Sequence, residues 1–143
     1  MDVNIYVDST IKNPNRGEGT AMFLLECETQ KGPKTLQGFV HLPDTTEDGI
    51  ILTALIEGLG HFLKETPIRI FVKAPGVFNA IDTGRIQTAK LNGFRTAKGQ
   101  SVKNAELWSI LLSLLPKHKW TITNEEHSYQ NYMKSELKKW HSQ

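Results

Sequence analysis

Two side chains that could do chemistry close two matching strand patterns. The segments Val3–Asp8 and Ile68–Lys73 both place apolar residues at every second position, so each predicts a β-strand with one buried face. The closing residues, Asp8 and Lys73, fall in the same frame on the opposite face. A fold that pairs these strands sets a carboxylate beside an ammonium group. An enzyme that requires two metal-binding carboxylates there would lack one of them.

A second feature is a strongly basic segment. Residues 1–83 hold 7 lysines and arginines against 11 acids, whereas residues 84–143 hold 10 against 4. The stretch Thr83–Ala105 contains no acid, and its cations are Arg85, Lys90, Arg95, Lys98 and Lys103. Such an asymmetry is typical of a surface that binds a polyanion. Charge alone leaves open the alternative of a solvated basic loop without a partner.

The elements that must position these residues follow from apolar periodicity and turn chemistry. Ser9–Gly19 predicts a turn, and the next two strands, Thr20–Glu28 and Thr35–Leu42, are predicted to form a hairpin joined at Lys31-Gly32-Pro33. After the strand at Ile68 we predict helices at Val77–Ile81, Arg85–Leu91 and Ala105–Leu115, a strand at Trp120–Thr123 and a final helix at Tyr129–Trp140. This order predicts a mixed sheet with helices on its faces.

The first helix has the clearest signals. Thr45 or Thr46 can cap its start, and Glu47 and Asp48 are favourably placed in its first turn. The residues predicted to form its apolar stripe are Ile51, Leu52, Leu55, Ile56, Leu59, Phe62 and Leu63.

Composition sets modest limits. A chain of 143 residues fits a single domain, residues 1–143, with a core that needs no disulfide. The lone Cys27 excludes an internal disulfide and suits a reducing compartment. No signal peptide is evident, and no apolar stretch reaches the ~20 residues that span a bilayer. We therefore expect a cytoplasmic protein that does not engage a membrane.

One long run resembles a known family. Residues 93–108, with the sequence GFRTAKGQSVKNAELW, resemble the basic protrusion and the following helix of type 1 ribonucleases H. Shorter similarities lie at Asn13-Pro14, Ala54–Leu59, Val77–Ile81 and the segment from His127-Ser128 through Asn131 to Glu136-Leu137. The resemblance covers roughly residues 3–140 and implies an α/β fold of the RNase H-like kind: a five-stranded mixed sheet, first three strands antiparallel, with helices on both faces.

The family's chemistry uses four carboxylates that hold two Mg²⁺ ions at the scissile phosphate of an RNA–DNA hybrid. By the resemblance, the four positions fall on Asp8, Ile51, Lys73 and Ser135, so one acid is retained. Mg²⁺ prefers oxygen donors. We therefore expect no intact catalytic set, no metal site and no cofactor. His127 resembles a histidine that assists product release in the family, although a structural role is the alternative.

Neighbouring acids do not obviously compensate. Glu47 and Asp48 precede Ile51 by about one helical turn, roughly 5 Å along the axis, and Glu136 projects about 100° away from Ser135. Ile51 is expected to pack in the core, and Asp8 to form an ion pair with Lys73.

By the resemblance, the sequence retains more of the family's nucleic-acid-binding residues than of its catalytic carboxylates. Asn13, Arg95, Lys98, Lys103 and Asn104 match substrate-contacting regions of the family. The first hypothesis is a catalytically degenerate domain that binds RNA–DNA hybrid or duplex. A scaffold module, forming a homodimer or engaging a protein partner, is the second. The third is a residual metal-dependent nuclease that uses Asp8.

Overall fold

The computed structural model of the protein describes residues 2–141. The strands are β1 (Val3–Ser9), β2 (Arg16–Thr29), β3 (Gly32–Thr46), β4 (Pro67–Phe71) and β5 (Lys119–Thr123). The helices are α1 (Glu47–Leu59), α2 (Pro75–Asp82), α3 (Arg85–Leu91), α4 (Ala105–Leu114) and α5 (Gln130–His141), with a 3₁₀ helix at Leu115–Lys117. None of the helices in this part of the chain has the length and apolar character that crossing a bilayer requires.

The strands form one mixed sheet in the order β3-β2-β1-β4-β5. β1, β2 and β3 pair antiparallel, whereas β4 pairs parallel to both β1 and β5. The predicted fold class is confirmed, because the sheet separates two apolar clusters. The larger cluster joins one face to α1, α2 and α4, and the smaller one joins the other face to α5.

The alternation predicted for β1 and β4 is present. Ile5 and Ile70 lie directly opposite one another and belong to the larger cluster. Tyr6 and Phe71, the next pair, belong to the smaller cluster on the α5 side. The strand pairing ends there, and Lys73 lies two residues beyond β4. The two closing positions, Asp8 and Lys73, therefore lie at the same end and on the same face of the sheet.

Helix α1 begins as predicted but ends earlier than its apolar stripe suggested. The Thr46 hydroxyl accepts a hydrogen bond from the Gly49 amide, which caps the helix. The helix ends at Leu59, with Gly60 as its C-cap. Leu63 is 96% exposed, so its assignment to the buried stripe is wrong. Phe62 lies outside the helix and packs against the larger cluster from there.

The hairpin is longer than the sequence pattern indicated. Strand pairing runs from Arg16 opposite Thr46 to Thr29 opposite Gly32, so the connection is Gln30-Lys31 and not Lys31-Gly32-Pro33. The outer part of the hairpin is exposed. It therefore lacks the alternation by which strands are recognised. The remaining predicted elements agree with the structure within two residues at each end.

Candidate functional site

A pocket of about 270 Å³ opens where β1 and β4 end. Its lining combines both strand-closing residues with residues from α1, α5 and the loop before α5. The charged or titratable groups in the lining are Asp8, Lys12, Glu47, Lys73, His127 and Lys134. The tertiary structure therefore brings Asp8, Lys73, His127 and Ile51 together, as the resemblance implied.

The two strand-closing residues have different partners from the one expected. The Lys12 ammonium lies 2.6 Å from the Asp8 carboxylate, four residues away in the chain. Lys73 pairs instead with Glu126 in the loop between β5 and α5. The predicted ion pair between Asp8 and Lys73 is wrong, because Asp8 pairs with Lys12 of the β1–β2 turn and Lys73 with Glu126 of the β5–α5 loop. Lys73 nevertheless faces the same pocket as Asp8.

Helix α1 contributes one acid and one apolar residue to the pocket. Ile51 is only 2% exposed and belongs to the larger cluster, which confirms its expected packing role. Glu47 is buried, lines the pocket and accepts the Asn13 amide at 3.5 Å. Because α1 begins at Glu47, this acid lines the same pocket as Asp8, although it lies about one helical turn from Ile51.

Asp48, the other acid in this turn, does not line the pocket. Its carboxylate packs against Gly76 in the first turn of α2, where a Cβ would lie 2.3 Å from Asp48 Oδ2. Burial raises the pKa of Asp48, and the nearby charges of Arg85 and Lys103 oppose that shift. Asp48 therefore faces the basic side of the molecule.

Helix α5 presents a different residue from the one expected. Ser135 is exposed and is not part of the pocket lining, whereas Lys134 is. Met133 and Leu137 are buried against the sheet and fix the rotation of the helix. The spacing of these two apolar residues was the signal that could have identified Lys134. The pocket thus receives a lysine from α5 in addition to Lys12 and Lys73.

His127 is held by aromatic neighbours. Its ring centroid lies 4.3 Å from that of Tyr6 and 5.6 Å from that of Phe71. Its Nδ1 accepts the Tyr129 amide at 3.2 Å. Burial, and then the charge of Lys73, lower the pKa of His127, so the imidazole is favoured in its neutral form.

Beneath His127 lies a polar hub that the sequence did not reveal. The Glu26 carboxylate accepts hydrogen bonds from the side-chain amide of Asn4 at 3.0 Å, from the Tyr6 hydroxyl at 2.6 Å and from the Tyr129 hydroxyl at 2.8 Å. Burial alone would raise the pKa of Glu26, but these donors lower it overall. Burial, and then the bond to Glu26, raise the pKa of Tyr6. The hub ties the loop that carries His127 to strands β1 and β2.

The donor set in the pocket does not match a Mg²⁺ centre of the kind the resemblance implies. Within residues 2–141, no group of three or more His, Cys, Asp or Glu side chains is arranged to hold a metal ion. Two carboxylates, Asp8 and Glu47, line the pocket, and Lys12 is already paired with the first. An ammonium within ion-pair distance opposes cation binding at that carboxylate.

The basic residues are displayed on a separate hairpin, which we call the protrusion (residues 93–103). Arg95 pairs with Ser101 across its short ladder, and Arg95 Nη1 donates to the Gly99 carbonyl at 3.1 Å. Phe94 and Val102 pack against the larger cluster and anchor the base of the protrusion. Arg95, Lys98 and Lys103 are exposed. Their charges are therefore accessible to a ligand.

The two predicted binding residues outside the protrusion proper flank α1. Asn13 is exposed in the β1–β2 turn, and its peptide bond to Pro14 is cis. Asn104 precedes α4 with φ of 61°, and its side-chain oxygen faces Gly49 of α1. The protrusion and the pocket are thus linked through the first turn of α1.

Comparisons with known proteins fit this architecture. No family model matches the chain. It is 32% identical over 119 residues to the Ribonuclease H of Caldicellulosiruptor saccharolyticus, covering 82% of this chain and 77% of the relative. It is 34% identical over 117 residues to the Ribonuclease HI of Pseudomonas aeruginosa, covering 81% and 74%.

Solved structures share the fold. LC9-RNase H1, a type 1 RNase H with the type 2 active-site motif, superposes with a TM-score of 0.72 at 19% identity, over 94% of this chain and 69% of that one. The foamy viral protease–reverse transcriptase in complex with RNA/DNA hybrid matches with a TM-score of 0.62 at 14% identity, over 91% of this chain and 18% of that one. The structural likeness establishes the fold, and the sequence identity to the curated relatives adds the lineage: the chain belongs to the ribonuclease H family, which uses Mg²⁺.

Proposed function

We propose that this protein is a catalytically degenerate ribonuclease H-like domain that binds nucleic acid, as RNA–DNA hybrid or duplex, through the protrusion. The observation that carries the proposal is the contrast between two sets of positions. Of the four positions that the resemblance assigns to acids, only Asp8 is one; Ile51 is buried, Lys73 is a cation, and α5 presents Lys134 to the pocket in place of Ser135. Where the family contacts substrate, Arg95, Lys98 and Lys103 are exposed.

The case for lost catalysis rests on donor chemistry. Mg²⁺ dehydrates reluctantly and is held by oxygen ligands in near-octahedral geometry. Ile51 offers no donor, and ammonium groups repel the ion. The remaining acids, Asp8 and Glu47, supply fewer carboxylates than the four that the family uses. We therefore expect hydrolysis of the hybrid to be absent or very weak.

The case for binding rests on requirements that are easier to meet. Phosphate contacts need accessible cations and amide donors, and they do not need a catalytic metal. The protrusion supplies exposed cations at its tip and base, and the family relationship supplies a reason for nucleic acid as the polyanion. The foamy viral enzyme of the same fold is described in complex with RNA/DNA hybrid.

Binding is tested by titrating the protein with RNA–DNA hybrid, duplex RNA, duplex DNA and single strands at two salt concentrations. We expect affinity for hybrid or duplex to fall steeply with salt. It should weaken at least about tenfold in K98E/K103E, because two cations that attract phosphate become anions that repel it. The matched control is K117E/K119E, which makes the same change in charge at two exposed lysines beyond the C-terminal end of α4. Salt-independent or absent binding would overturn the proposal and favour a scaffold role, which sedimentation would detect as self-association.

Residual hydrolysis is the competing function, and two observations favour it. The relatives are named Ribonuclease H, and Glu47 lies in the pocket with Asp8. A cleavage assay on the hybrid in Mg²⁺ or Mn²⁺ decides between residual hydrolysis and a degenerate domain, with Asp8→Asn as the control. Equal background from both proteins supports degeneracy. Cleavage by the unsubstituted protein alone would overturn degeneracy and leave the binding proposal standing.

A further inference from the structure

Three lysines from different parts of the chain line the pocket. Lys12 reaches it from the β1–β2 turn, Lys73 from the end of β4 and Lys134 from α5. A shallower adjoining depression shares Asp8, Lys12 and Lys134 and adds Lys138 of α5. Because the two depressions share residues, they form one continuous lysine-lined surface, which we call the lysine pocket.

Two of these lysines, Lys12 and Lys73, pair with acids but remain partly exposed. Asp8 is engaged by Lys12, and Glu47 is buried at the base near the Asn13 amide. Glu126 pairs with Lys73 from the rim, and its side chain is 74% exposed. The Lys12 and Lys73 side chains are themselves 54% and 44% exposed. Their ammonium groups remain accessible to a ligand from solution.

We propose that the lysine pocket binds one phosphate group of a nucleic-acid backbone, with Lys73 and Lys134 as its principal partners. A lysine ammonium is a compact cation that binds phosphate as a point charge and needs no metal. The exposed Lys73–Glu126 pair contributes little stability, so a phosphate can displace Glu126 at small cost. The cations thus supply directly the charge neutralisation that divalent ions supply elsewhere in the family.

The geometry connects this site to the protrusion. Glu47 lines the pocket, while the adjacent Asp48 lies within the electrostatic reach of Arg85 and Lys103. Asn104, at the base of the protrusion, packs by Gly49 in the same turn. The first turn of α1 therefore neighbours both the base of the protrusion and the lysine pocket, and a bound backbone would cross it between the two. This inference rests on the proposed function, since it requires nucleic acid at the protrusion.

The test compares Lys73→Gln, Lys134→Gln and the double variant with the unsubstituted protein, using a short RNA–DNA hybrid in EDTA across a salt series. We expect the double variant to bind about three- to tenfold more weakly near 0.1 M salt. The slope of log K against log salt should decrease by about 0.7–0.9, the contribution of one phosphate contact. Lys139→Gln, on the same helix but outside the lysine pocket, should leave both quantities unchanged.

The outcomes separate this inference from the function it rests on. No binding by the unsubstituted protein overturns both. Binding that weakens in K98E/K103E but is unchanged in K73Q/K134Q overturns the lysine pocket alone. A parallel titration with inorganic phosphate, followed by NMR shifts of the pocket residues, identifies the source of the phosphate. Pocket shifts with phosphate, combined with unchanged hybrid affinity in K73Q/K134Q, would assign the pocket to a free phosphate compound and overturn the backbone assignment.

Discussion

The strand-end pocket and the protrusion belong to one fold, yet they differ in how many residues they share with the rest of the family. By the resemblance, the protrusion retains a long matching run with exposed cations, whereas the pocket has Ile51 and Lys73 at two positions where the family has acids. A two-metal centre depends on several carboxylates held in one geometry, so single changes disable it. A phosphate-binding surface depends mainly on accessible charge, which tolerates changes in geometry. The proposed function therefore predicts that binding outlasts catalysis in this domain.

The largest expected effect comes from placing carboxylates in the pocket, so that it resembles the family's active site as closely as the protrusion resembles its counterpart. The triple variant I51E/K73D/K134D introduces three acids into the pocket that holds Asp8 and should gain Mg²⁺-dependent cleavage of an RNA–DNA hybrid. We expect about a hundredfold or more over the unsubstituted protein, since metal coordination supplies several kcal/mol. Initial rates with circular dichroism as a folding check measure this.

The matched control for that experiment is I51E/K73D/S135D. Lys134 lines the pocket and Ser135 does not, so this variant should remain near background. Higher activity in the S135D variant than in the K134D variant would contradict the helix rotation described here.

The second effect concerns the hub below the pocket. Glu26→Ala removes the acceptor of three hydrogen bonds and should lower the free energy of unfolding by about 1–3 kcal/mol. Because the pKa of Glu26 is lowered by folding, the advantage of the carboxylate over Glu26→Gln should be full above its ordinary value of 4.5 and vanish as pH falls through the folded value. Urea unfolding across pH measures both. Glu28→Ala, an exposed change on the same strand, should cost little, and an equal cost would refute the hub.

A third prediction tests whether the protrusion depends on its anchor. Phe94→Ala removes a partly buried ring from the base and should cost about 1–2 kcal/mol of stability. Hybrid affinity should fall as well, although no charge is removed, because the cations lose their fixed support. Unfolding and binding curves on the same preparation test the coupling. Unchanged hybrid affinity at reduced stability would show that the charges of the protrusion bind nucleic acid without the support of Phe94.

The smallest effect is expected for the exposed pair in the pocket. Lys73→Gln breaks the contact with Glu126 but should leave the urea midpoint unchanged within error, since exposed pairs contribute little. A clear loss of stability would mean that Lys73 is a structural residue rather than a ligand-facing one. This measurement therefore sharpens the interpretation of any binding defect in the same variant.

The sequence was sufficient for features that depend on local pattern. Alternation in β1 and β4 predicted the shared frame of Asp8 and Lys73, and the apolar stripe of α1 predicted the burial of Ile51. The resemblance identified the protrusion and a five-stranded mixed sheet with its first three strands antiparallel. These succeeded because period-2 and period-3.6 patterns record which face of an element is buried.

Only the tertiary structure decided which charges meet. Asp8 pairs with Lys12 and Lys73 with Glu126, because the β1–β2 turn and the β5–α5 loop place these side chains within ion-pair distance. The docking of α5 on Met133 and Leu137 directs Lys134, not Ser135, to the pocket. The sequence by itself determined the fold, the family and the two surfaces worth testing. The partners within those surfaces depend on helix rotation and loop path, which long-range packing sets and local pattern does not encode.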